Sequence, residues 1–176
     1  ANAVWDGTDV VMLSAETSVG KFPSQAVKLM REIILNAERA YEFDREINFA
    51  TPEFIDANLF DSMNKGICSI SKQINAKAIV AFTSKGNTPN SLSKFRPQAM
   101  IIAVSDSFDT MNKLSLKWGV LPLYCKDISN RQIASEIIRN QILADRIVEP
   151  GDLVIFTEGG LKIKNTRENW VRFELL

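Results

Sequence analysis

The sequence predicts an α/β protein: a three-layer domain built on a mostly parallel five-stranded sheet with its last strand antiparallel, preceded by a lone strand–helix unit. Three observations carry this. Short apolar runs alternate with amphipathic stretches of roughly ten to fifteen residues, the rhythm of βαβ units. The runs are apolar throughout, Ala78 to Phe82 above all, as in strands buried on both faces. The last two runs are joined by a segment too short to need a crossover helix, which makes the final strand antiparallel.

Taken in order, Ala1 to Val4 reads as the tail of a helix, and Val10 to Leu13 as a short buried strand. Ser14, Glu16 and Thr17 follow where that strand would end. A helix is expected from Ser24 to about Arg45, because Ala26, Met30, Ile33, Ala37 and Tyr41 recur at helical spacing. A single strand–loop–helix unit of this kind reads as a remnant of a (β/α)8 barrel, in which the carboxyl ends of the strands form the active-site rim. Residues 46–56, with Asn48, Thr51 and Pro52, break the rhythm and suit a linker. The expected division is therefore 1–46 for the barrel remnant and 47–176 for the α/β domain.

Within the second part, Leu59, Met63, Ile67, Ile70 and Ile74 mark a helix, followed by a strand over 78–82. A short helix over 89–94 stops ahead of Pro97. The strand 100–104 and the helix 109–117 come next. Val120 to Tyr124 is a strand whose Pro122 suits a strand start or an exposed edge. Ala134, Ile137, Ile138 and Ile142 mark another helix, and strands over 153–156 and 170–175 complete the set.

Composition narrows the function. The chain has 176 residues, 45% of them apolar, enough for one good core plus an appendage. Its formal charge is zero, which removes the electrostatic footprint of nucleic-acid and anionic-membrane binding. No apolar run reaches membrane-spanning length, and the first residues do not resemble a signal peptide. Cys68 and Cys125 lack metal-ligand spacing and read as buried, reduced thiols of a cytoplasmic protein. The chain contains no histidine, so an imidazole base, a Ser-His-Asp triad and His-ligated metal are ruled out within it.

The strongest candidate site is the loop after the strand ending at Phe82, with Thr83, Ser84, Lys85, Gly86, Asn87 and Thr88. Ligands of open α/β sheets bind beyond the carboxyl ends of strands. Thr88 is placed to cap the following helix with Pro89 at its first position, and free amides at such a helix start suit a phosphate. An ordinary capped turn has the same composition. The second candidate is the segment 157–166, expected as a loop, where Gly159, Gly160, Lys162 and Thr166 could meet an anion. A solvated hairpin with surface lysines fits it as well, and Glu158 would repel a phosphate. The third is the rim cluster Ser14, Glu16 and Thr17, which helix capping would also explain.

Several motifs also carry a resemblance. Ala1, Asn2, Ala3, Val4, Asp6 and Gly7, then Val11 to Ser14, Glu16, Thr17, Gly20, Lys21 and Pro23 resemble the last barrel unit of pyruvate kinase. Ser93 to Pro97, Leu116 to Val120 with Pro122, and Pro150 to Val154 are similar to its C-terminal domain. The resemblance implies that the loop around Gly86 receives the phosphate of an allosteric effector and that segment 157–166 closes over it. It departs from the family at Asn87, where Arg or Lys is usual. For the whole protein it implies phosphoryl transfer from phosphoenolpyruvate to ADP in glycolysis, with Mg2+ or Mn2+ and K+, in a homotetramer. The chain itself would bind a phosphorylated effector and join the rest of the enzyme, needing no cofactor, associating as a dimer or higher and catalysing nothing alone. A free-standing phosphometabolite-binding or assembly module of the same fold is the competing reading.

Overall fold

A lone segment cannot be a strand, and the computed structural model of the protein, which describes residues 1–40, 55–163 and 166–176, bears this out at its start. Residues 8–14 carry no regular structure; Val10 is 51% exposed and Met12 84%. The expected strand over Val10 to Leu13 is thus corrected. Its amides and carbonyls have no neighbouring strand in this part of the chain, and without a ladder an apolar run stays extended coil.

The chain divides into two compact units, Ala1–Arg45 and Glu46–Leu176. In the first, the short helices α1 (Asn2–Trp5) and α2 (Ala15–Ser18) pack on α3 (Pro23–Arg39). The Trp5 indole donates to the Ala37 carbonyl at 3.0 Å, and Val4 and Ala37 are buried. Pro23 takes the first position of α3, where its missing N–H costs nothing. Helix α3 ends at Arg39 with Ala40 as its C-cap, short of the expected end near Arg45. The remainder of the expected helix and most of the expected linker lie outside the described residues, although Ile55 and Asp56 already belong to the next helix. An open apolar groove of about 460 Å³ runs along α3, lined by Val11, Leu13, Val27, Met30, Ile34 and Leu35 with Thr17 and Arg31.

The second unit begins with α4 (Ile55–Gln73) and continues β1 (Ala78–Phe82), α5 (Asn87–Lys94), β2 (Met100–Ser105), α6 (Phe108–Leu114), β3 (Val120–Tyr124), α7 (Arg131–Ala144), β4 (Leu153–Ile163) and β5 (Thr166–Leu175). The sheet order is β3-β2-β1-β4-β5, parallel except for the antiparallel pair β4–β5. All five residues of β1 are buried, as a central strand covered on both faces requires. One core face joins Val80, Phe82, Val104 and Phe156 to Ala134, Ile138 and Ile142 of α7. The other joins Ile79, Ala81, Ile101 and Ile155 to Ile67 of α4 and Leu92 of α5. Pro122 lies on the edge strand β3, where its missing donor breaks no ladder. Cys68 and Cys125 are both buried and free.

Two expectations need correction. The segment 157–166 is not a loop: β4 continues to Ile163 and pairs with β5 from Thr166, with an irregularity between Glu158 and Leu161. A hairpin extends its ladder as long as it can satisfy backbone groups, and the two glycines at the irregularity are absorbed as a bulge. Helix α5 starts at Asn87, so Pro89 is its third residue and Thr88 its second. The cap is Gly86, in the left-handed region at φ +82°, which a side chain resists.

Candidate functional site

The strand order places the point of topological reversal between β1 and β4. Successive units run from β1 outward through β2 to β3, and the chain then returns to the other side of β1. Ligands of open α/β sheets bind in the crevice beyond the carboxyl ends of the strands at such a point. The loop 83–88 leaves β1 there, and Glu158 and Gly159 lie on β4 beside it, with Glu158 in register with Phe82.

Local bonding shapes the loop. Thr83 is buried; its amide donates to the Val104 carbonyl at 2.9 Å and its hydroxyl accepts the Gly86 amide at 2.9 Å. The Ser84 carbonyl accepts the Thr110 hydroxyl of α6 at 3.0 Å. Gly86 faces the Leu114 and Thr110 side chains, so α6 supports the loop from behind. The side chains of Ser84, Lys85 and Asn87 are exposed. The amides of Ser84, Lys85, Asn87 and Thr88 donate to no acceptor among the described residues. Open amides at a helix start, with the positive end of the helix dipole, attract an anion.

Thr88 is 1% exposed. A Cβ placed on Gly159 would stand 3.3 Å from the Thr88 hydroxyl oxygen, 3.1 Å from the Phe60 ring and 3.1 Å from the Asn169 side-chain oxygen. The two candidate segments therefore meet, Thr88 against Gly159. For Gly160, Lys162 and Thr166 the backbone lies in the hairpin, while their side chains are outside the described residues.

A group that sequence reasoning did not assemble lies on β4 level with the end of β1, on the face of the sheet that α7 covers. The Glu158 carboxylate accepts the Nε–H of Arg131, the first residue of α7, at 2.5 Å and the Trp170 indole N–H at 3.2 Å. Its side chain is 13% exposed. The feared repulsion of an anion is thereby reduced, since Arg131 neutralises the charge locally. Arg131 and Trp170 are 27 and 12 residues away in sequence, and neither belongs to a recognisable motif.

Ser14, Glu16 and Thr17 lie together in the first unit and spend their polar groups on one another. The Ser14 amide donates to Glu16 at 2.9 Å, and the Thr17 hydroxyl donates to the Ser14 carbonyl at 3.1 Å. Hydrogen bonds from the backbone amides of Glu16 and Ser14 hold the Glu16 carboxyl below the usual carboxylate value. A Cβ on Gly20 would lie 2.3 Å from the Glu16 carbonyl oxygen, so that turn admits only glycine. Among the described residues no three Cys, Asp or Glu side chains gather as a metal-ligand set, so these residues do not fit a divalent cation.

Fold and crevice together define a three-layer α/β domain whose glycine-capped loop 83–88 lies at its topological switch point. The profile of the pyruvate kinase alpha/beta domain matches residues 61–172. Over 163 residues the chain is 36% identical to the pyruvate kinase of Staphylococcus saprophyticus, covering 90% of this chain and 27% of that protein. The pyruvate kinase of Staphylococcus aureus matches to the same extent. Among solved structures, a Cryptosporidium parvum pyruvate kinase in complex with ADP superposes with a TM-score of 0.82 and 26% identity over 98% of this chain and 35% of its own. A second structure of pyruvate kinase from that organism gives 0.84 and 25%, over 99% and 34%. The chain belongs to the pyruvate kinase family and corresponds to its C-terminal portion. It spans about a quarter of the length of the curated relatives it matches (27%). Among the described residues no helix is long and apolar enough to cross a membrane.

Proposed function

We propose that this chain is the effector-binding and assembly portion of a cytoplasmic pyruvate kinase, and that its loop 83–88 receives the phosphate of a phosphorylated effector. The observation that carries the reading is the conjunction at the β1/β4 crevice: amides at the start of α5 that donate to no acceptor among the described residues, beside Gly159 and the buried Thr88. Lys85 adds a mobile point charge at the rim. The whole protein would transfer the phosphoryl group of phosphoenolpyruvate to ADP. That chemistry depends on cations and charged groups gathered around the phosphate, and its Mg2+ or Mn2+ and K+ would be held outside this chain. The groove along α3 and the irregular segment 8–14 suit residues 1–46 to a barrel completed by other parts of the whole protein. Association of the domain into homo-oligomers, a tetramer in the whole enzyme, belongs to the same proposal.

A thermal-shift panel of sugar monophosphates, sugar bisphosphates, AMP and inorganic phosphate tests the site. At a hundred times its dissociation constant a ligand adds about 2.7 kcal/mol of stability. At least one sugar phosphate or AMP should raise the melting temperature of the chain, and Thr88→Val, which keeps the shape and removes the hydroxyl, should abolish the shift. No shift with any phosphate compound would sink the reading. Purified chain supplied with phosphoenolpyruvate, ADP, Mg2+ and K+ should form no pyruvate; turnover would contradict the assignment of catalysis to the rest of the enzyme.

A further inference from the structure

No further inference is drawn: the strongest candidate, the exposed apolar surface of Leu59, Ile70 and Ile74 on α4 and of Val171, Phe173 and Leu175 on the edge strand β5, restates the homo-oligomeric association already proposed, and nothing in the structure shows what else covers it.

Discussion

Replacing Gly86 by alanine probes the loop through its backbone. Gly86 caps α5 at φ +82°, and a Cβ there would stand 3.3 Å from Leu114 Cδ2 and 3.5 Å from Thr110 Cγ2. An L-residue in the left-handed region costs ~1–2 kcal/mol, and the stiffer unfolded chain returns ~0.4–1 kcal/mol. The Leu114 end must give by a few tenths of an ångström, adding ~0.5 kcal/mol of rotamer strain. The net loss is ~1.5 kcal/mol. Two other glycines of the same unit isolate the terms. Gly151 has φ +94° with nothing within 4 Å of a Cβ, so Gly151→Ala shows the backbone cost alone, ~1 kcal/mol. Gly66 lies inside α4 with open space around it, so Gly66→Ala should gain ~1 kcal/mol from helix propensity. Urea titration followed by circular dichroism should rank the proteins Gly66→Ala, wild type, Gly151→Ala, Gly86→Ala, with unchanged m-values. Gly86→Ala as stable as wild type would refute the loop conformation on which the anion site depends.

Three further outcomes follow from packing and charge. Arg131→Ala should destabilise the chain by ~1–3 kcal/mol, because it leaves a mostly buried carboxylate with only the Trp170 indole as partner; no loss in urea would mean the pair is solvated. Phe82→Ala should cost ~3–5 kcal/mol, since this ring is fully buried between Phe156 and Trp170; a drop below ~1 kcal/mol in the same assay would argue against this core. Burial pushes the Cys68 thiol from its ordinary 9.0 up to about 12. The unfolded chain therefore loses this proton first, so the associated stability is intact below pH 9 and is lost as pH rises through 12, at about 1.4 kcal/mol per pH unit. Cys68→Ala should flatten that part of the pH–stability curve; an identical slope would show that other groups cause it.

The fold was largely legible because its signals are local and strong. Ala78 to Phe82 and Val120 to Tyr124 match the observed strands residue for residue, since unbroken apolar runs bounded by turns suit few other fates. The antiparallel last strand followed from loop length alone. Where reading failed, the deciding partner lay elsewhere in the chain. Val10 to Leu13 looks like a strand by composition, yet strands exist only in pairs. The 157–166 stretch, with its glycines and lysines, looks like a loop, yet the facing residues of β5 extend the ladder through it. Thr88 resembles a cap, yet the turn from β1 onto α5 needs the left-handed residue, and Gly86 takes that place.

The candidate site divides in the same way. Residue types and their spacing were enough to single out Thr83 to Thr88, because glycine, hydroxyls and a strand–helix junction are contiguous. They were also enough to remove histidine chemistry and to point to the family. Only the tertiary structure brings Thr88 against Gly159 and gathers Arg131, Glu158 and Trp170 level with the end of β1. Strand order is a property of the whole chain: the return of β4 to the far side of β1 creates the crevice, and no local pattern encodes it. Sequence thus singled out the loop that leaves β1, and the sheet topology decided that Gly159 of β4 lies against it and that an arginine-paired acid stands level with the end of β1.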